Sequence, residues 1–181
     1  MRIIVTGGFG FIGSSFVNLL NRRLPNDEIV ILDKMTYAAN PNNIKESTPF
    51  IHMDICDVTP EDLGDYDYIV HFAAESHVDN SIKNGKPFIR TNVDGTFNLL
   101  ECARQNPNLK KFIHISTDEV YGDMDDIGLL AEANECFNLT GSSYYSASKA
   151  SSDLLVESAG RTFGLPYLIT RTCNNYGDHQ N

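Results

Sequence analysis

Met1-Arg2-Ile3-Ile4-Val5-Thr6-Gly7-Gly8-Phe9-Gly10-Phe11-Ile12-Gly13 opens the chain, and its reading decides the fold. Ile3, Ile4 and Val5 run without polar alternation, as in a strand buried on both faces. The following glycines have the spacing GxxGxxG through Gly7, Gly10 and Gly13. Glycine lets such a turn be tight and lets backbone amides approach a diphosphate seated on the next helix N-terminus. A glycine-rich turn alone is also a common structural accident; here it joins a strand pattern to a helix pattern.

The same alternation continues outward. Short runs rich in Ile, Val, Phe and Tyr at 29–32, 50–52, 68–72, 112–115 and 167–170 read as further buried parallel strands. Between them, 10–23 places Ile12, Phe16, Leu19 and Leu20 on one helical face and ends in Arg22 and Arg23, which suit the negative end of the helix dipole. A helix within 81–104 carries Phe88, Val93, Phe97 and Leu100. A third, 143–163, carries Ala147, Ala150, Leu154 and Val156 and stops at Gly164 and Pro166. Strand–helix alternation of this kind predicts an α/β fold, a Rossmann-type doubly wound parallel sheet that binds ligands beyond the carboxyl ends of its strands.

The chain has 181 residues, 41% hydrophobic and 21% charged, with a formal net charge of −10. That charge argues against nucleic acid or an anionic membrane as partner, while leaving room for a phosphate held by backbone amides. Cys56, Cys102, Cys136 and Cys173 form no CxxC pair and read as buried reduced thiols of a cytoplasmic protein. No secretory leader or membrane span is recognisable, so the sequon at Asn138 should stay unmodified. The acidic loop 123–128 only faintly follows a calcium pattern, and the histidines show no metal spacing. His71 and His114 read as core residues, and His77 as the one histidine near substrate.

Asp33 ends the second strand, where a carboxylate can accept hydrogen bonds from an adenosine ribose and repel a 2′-phosphate. Lys34 weakens that repulsion. Asp54 and Ile55 can hold an adenine ring, although a solvated loop carboxylate is nearly as plausible. Tyr145 and Lys149 share a helical face; an ammonium near the phenol would lower its pKa and make tyrosinate available as a base. Tyr144 competes, but its spacing of five to Lys149 turns it elsewhere. Thr117-Asp118-Glu119 ends the fifth strand. A simple dehydrogenase needs one hydroxyl there, and two further acids suit a reaction that also moves a carbon-bound proton and expels water. The bland alternative is that Asp118 and Glu119 cap the next turn.

With these residues in view, the chain resembles the extended short-chain dehydrogenase/reductase family and, within it, the nucleotide-sugar 4,6-dehydratases. The likeness rests on 6–13, 33–38, 73–79, 91–93, 116–122, 145–149 and 171–177. The resemblance implies NAD, bound by Gly7, Gly10, Phe11, Ile12, Gly13, Asp33, Lys34, Met35, Thr36, Asp54, Ile55, Phe72, Ala73, Ala74, Glu75, Ser76, Thr91, Tyr145, Lys149 and Asn175. It implies catalysis by Thr117, Asp118, Glu119, Tyr145 and Lys149, substrate contacts from Ser76, Thr117 and Asn174, and a bracing role for Asn92. It also implies a nucleotide-hexose substrate and a homodimer formed through the 81–104 and 143–163 helices. Tyr144 stands where the family usually has Pro, and Gly177-Asp178 where it has Gly-Pro. The family is about twice as long, so 1–181 reads as an NAD-binding Rossmann domain with catalytic residues whose C-terminal substrate domain is missing: a fragment, a truncated product or half of a split protein. Such a piece is expected to bind NAD and turn over poorly. Rival readings are a sugar-nucleotide 4-epimerase, which has no use for the acid pair, and a silent NAD-binding module.

Overall fold

A computed structural model describes residues 1–122 and 139–180. Strands β1 (Arg2–Thr6), β2 (Glu28–Asp33), β3 (Phe50–His52), β4 (Tyr68–His71), β5 (Lys111–Thr117) and β6 (Tyr167–Thr172) form one sheet in the order β3-β2-β1-β4-β5-β6. Every pairing is parallel. The connections are carried by helices α1 (Phe11–Arg23), α2 (Pro60–Leu63), α3 (Val78–Lys83), α4 (Lys86–Phe88), α5 (Thr96–Gln105) and α6 (Tyr144–Phe163). The order reverses between β1 and β4, which is the doubly wound dinucleotide-binding arrangement expected from the sequence.

β1 shows how the core divides. Ile3 and Val5 meet Phe9, Val17, Ile29, Ile31 and Val70 on the α1 side. Ile4 faces the other way and joins Val30, Leu32, Ile69 and Phe112 beneath Leu99 and Leu100 of α5 and Val156 of α6. The inner strands are buried on both faces as predicted, whereas β3 and β6 are not: Phe50 is 55% and Leu168 47% exposed. Both strands lie at a sheet edge.

The helix faces differ from the apolar periodicity. In α1 the buried seam is Gly13, Ser14, Val17 and Asn18, while Ile12 and Leu19 are exposed and Phe16 and Leu20 pack at the flank. The glycine turn brings this helix so close to the sheet that small residues take the contact. Between α4 and α5 the chain forms a π-helix, Ile89–Gly95. A π turn inserts an extra residue and rotates the following face. Phe97 is therefore exposed, while Leu99, Leu100, Cys102 and Ala103 turn inward. In α6, Ala150 and Val156 are buried as expected, but Ala147 and Leu154 are exposed, and Ser146, Ser148, Lys149, Ser152 and Asp153 take the inner seam. A capping box from Ser143 starts this helix and left-handed Gly164 ends it.

His71 and His114 lie in the core at 1% and 0% exposure. Of the described thiols only Cys102 is buried; Cys56 is half-buried and Cys173 exposed, because each of these two sits on a loop beyond a strand end. Cys136, Asn138 and the acidic loop 123–128 lie outside the described residues. No described helix is long and apolar enough to cross a membrane.

Candidate active site

The segments following β1, β2, β4, β5 and β6 surround a cleft of about 480 Å³, a size suited to a small-molecule site. Gly7, Gly10, Phe11, Ile12 and Gly13 line it after β1. The Gly7 amide donates to Leu32 at 2.8 Å and the Gly10 amide to the Gly7 carbonyl at 3.1 Å. Gly7 has φ +67°, and a Cβ on Gly13 would run into the Gly7 carbonyl. The first turn of α1 carries no acidic residue and no side-chain cap. Its free amides thus form a cradle that a dinucleotide diphosphate fits.

Asp33, Lys34 and Thr36 line the cleft after β2. The Asp33 carboxylate accepts from the Phe9 amide at 3.0 Å and the Met35 amide at 2.8 Å, so it also ties the glycine turn to β2. Met35, at φ +57°, packs its side chain on the α1-side core and leaves the cleft wall. Lys34 Nζ donates to Thr91 Oγ1 at 3.0 Å and lies 3.7 Å from Asp54 and 3.6 Å from Glu75. Asp54 is absent from the wall because Lys34 and the Cys56 amide, at 3.0 Å, occupy its oxygens. Ile55 and Thr91 line the cleft, as do Phe72, Ala73, Ala74, Glu75, Ser76 and His77 after β4. Asn92, on the π-helix and 1% exposed, accepts from the Glu75 amide at 2.8 Å. Its Nδ2 donates to the Glu75 carbonyl at 3.0 Å and to Ser148 Oγ at 2.8 Å, bracing this loop against α6.

Tyr145 and Lys149 share one face of α6 and both line the cleft; Tyr144 is 61% exposed. Lys149 Nζ donates to the Ile115 carbonyl at 2.7 Å. Burial pushes its pKa down to about 8, with the Asp153 carboxylate opposing. The Tyr145 phenol is pushed up to about 12 by burial, then by Glu119 and Asp118, against a hydrogen bond with Thr117. This corrects the expectation of a phenol lowered by lysine: the ammonium is directed at a β5 carbonyl, and burial with the neighbouring acids governs the phenol.

Thr117 and Glu119 line the cleft, and Asp118 does not. The Thr117 hydroxyl accepts from the Glu119 amide at 3.3 Å and starts a 3₁₀ turn, Asp118–Tyr121. Successive residues of such a turn point about 120° apart, so the two adjacent acids diverge, Glu119 into the wall and Asp118 to its rim. Burial raises the Glu119 carboxyl above its ordinary value, and Asp118 adds to the rise. Asn174 and Asn175 line the cleft beyond β6, joined by Ser116, Thr172 and Cys173, which the sequence reading passed over. Asp153 and Arg171, paired at 2.7 Å behind the cleft wall, were also missed. Their signal was the i,i+4 row Tyr145, Lys149, Asp153, Glu157.

Sheet order, glycine cradle and Tyr/Lys face together define a Rossmann-type dinucleotide-binding domain. The family described as "NAD dependent epimerase/dehydratase family" matches residues 3–181, and the chain belongs to it. It is 42% identical to the dTDP-glucose 4,6-dehydratase of Mycobacterium tuberculosis (strain CDC 1551 / Oshkosh), over 99% of this chain and 55% of that protein. Its fold matches the crystal structure of a DesIV double mutant, a dTDP-glucose 4,6-dehydratase from Streptomyces venezuelae with NAD and DAU bound, at TM-score 0.90, 45% identity and 99% and 58% coverage. It also matches a UDP-N-acetylglucosamine 4-epimerase from Methanobrevibacter ruminantium M1 at TM-score 0.88, 31% identity and 99% and 57% coverage. The chain thus spans a little over half the length of these relatives.

Proposed function

We propose that residues 1–181 are the NAD-binding and catalytic domain of a nucleotide-sugar 4,6-dehydratase that converts dTDP-glucose to dTDP-4-keto-6-deoxyglucose. The observation that carries this reading is Glu119 in the cleft wall, raised in pKa and electrostatically coupled to Tyr145. A base tuned upward suits abstraction of a carbon-bound proton. The dehydratase names among the relatives support the same reading.

NAD+, which the Gly7–Gly13 turn, Asp33 and the Tyr145/Lys149 face would hold, would supply an acceptor for hydride from C4 and a donor of hydride to C6. Asp33 disfavours a 2′-phosphate, and Lys34, engaged by Thr91, Asp54 and Glu75, does little to offset it. Tyr145 takes the proton of the sugar 4-hydroxyl, with Thr117 and Lys149 assisting. The resulting C4 ketone acidifies C5–H, which Glu119 removes. Asp118 protonates the C6 oxygen from the rim, water leaves, and Glu119 returns a proton to C5 of the resulting C5=C6 alkene as the hydride comes back to C6. Ser76, Thr117 and Asn174 contact the substrate. Phe97, Ala147 and Leu154, exposed on α5 and α6, suit docking of a second copy as the family resemblance implies.

The test is incubation of the full-length or complemented protein with NAD+ and dTDP-glucose in deuterated water. Loss of water by mass, with deuterium at C5, supports the dehydratase; Glu119→Gln should abolish the exchange and keep C4 oxidation. Exchange that persists in that variant removes Glu119 from its role. A 4-epimerase is the second reading, favoured by the position of Asp118 off the cleft wall. It requires an inverted sugar of unchanged mass.

A further inference from the structure

Arg171 stands on β6 beside Ser116 of β5 and does not line the cleft. Its guanidinium reaches three partners. Nε donates to Asp153 Oδ2 at 2.7 Å, Nη1 donates to the Tyr121 hydroxyl at 3.1 Å, and Nη2 lies 3.6 Å from Glu157. The guanidinium carbon is also 5.4 Å from the centroid of the Tyr121 ring.

These partners belong to the two segments that present the reacting groups. Asp153 and Glu157 continue the row on α6 that begins with Tyr145 and Lys149. Residues four apart on a helix lie above one another, so fixing the later two rungs fixes the rotation of the earlier two. Tyr121 ends the turn that carries Asp118 and Glu119. β6 itself leads directly to Asn174 and Asn175 in the cleft wall. A planar fork with donors in fixed directions can hold several acceptors in one geometry, which a single ammonium cannot. Asp153 is fully buried; burial would raise its carboxyl, and the hydrogen bond from Arg171, with His114 Nε2 3.3 Å from its other oxygen, outweighs that and holds it below its ordinary value.

We propose that Arg171 is a positioning residue: its one guanidinium sets the rotation and spacing of the Tyr145/Lys149 pair relative to the acids of the 118–121 turn. The inference rests on reading those groups as the reacting centre. Its test does not need turnover, so its outcome is independent of the outcome of the dehydration assay.

The experiment is NMR of the chain labelled with [ζ-¹³C]tyrosine, with NAD+ present at neutral pH. The Tyr145 resonance is identified by its loss in Tyr145→Phe. Tyr121→Phe removes only the hydroxyl that receives Nη1, and Arg171→Lys keeps the charge while losing the fork. Both should shift the Tyr145 resonance by more than its linewidth, and Tyr121→Phe should do so at an unchanged melting temperature. A resonance that stays in place in both variants overturns the proposal. A lower melting temperature with an unmoved resonance does so too, since it leaves Arg171 as a structural ion pair. Should Arg171→Lys fail to fold, Tyr121→Phe decides alone.

Discussion

Replacing Lys149 by Met should make the chain more stable while removing its chemistry. The ammonium is 4% exposed, and burial takes its pKa from 10.5 to about 8. A difference of that size corresponds to roughly 3 kcal/mol against the folded state at neutral pH. Met fills similar space without the charge. The variant loses the hydrogen bond from Nζ to the Ile115 carbonyl, worth about 1.5 kcal/mol or more for a charged donor. The net gain is therefore about 1–2 kcal/mol, or roughly 2–8 °C in melting temperature for a chain of this length. The sign has a pH signature. A lysine lowered in the folded state makes the unfolded state bind more protons above the folded pKa, so stability of the parent should rise from pH 8 to 9. Above that, Cys56 and Cys102, both raised to about 11, act in the opposite direction. Urea unfolding of parent and variant between pH 7 and 9 reads both effects. A Lys149→Met chain that unfolds at lower urea than the parent at pH 7 would refute the reasoning.

Gly13→Ala should weaken NAD+ binding by at least about tenfold, since its Cβ meets the Gly7 carbonyl and must open the turn; calorimetry giving parent affinity would show the cradle to be elsewhere. His114, whose pKa burial lowers from 6.5 to about 4, should make stability fall as pH drops through that window, because the unfolded state takes up the proton first. Its share is about 2 kcal/mol by pH 5, measured by urea unfolding, and a pH-independent midpoint there would contradict a neutral buried imidazole. Glu119→Gln should let the Tyr145 phenol titrate below its parent value of about 12, as the carboxylate is one cause of the rise. A midpoint unchanged by ¹³C NMR would show that the two groups do not interact.

The sheet was readable because buried parallel strands leave uninterrupted apolar runs, and because the Gly7–Gly13 turn marks where the first strand meets its helix. The helix faces were less so. Apolar periodicity assumes that large side chains take the inner seam. In α1 and α6 that seam belongs to Gly13, Ser14, Ser148 and Ser152, whose small size lets helix and sheet approach. The π-helix before α5 is invisible to a 3.6-residue period and turned Phe97 outward. Within the site, residue types predicted the company of Tyr145, Lys149, Thr117 and Glu119. They could not predict that a single turn would part Asp118 from Glu119, or that Lys149 would spend its charge on a carbonyl. Both depend on backbone direction, which a spacing does not encode.

The position of β1 has a consequence for how this domain is made. It is the first strand in the chain, yet it lies between β2 and β4. Its second flank stays open until Tyr68–His71 has been synthesised. Until then an apolar ribbon waits for a neighbour that local contacts cannot provide, and pairings between distant segments form slowly. The β1–β2 segment is therefore open to mispairing before Tyr145 and Lys149 have been made, and a holding chaperone would act on it.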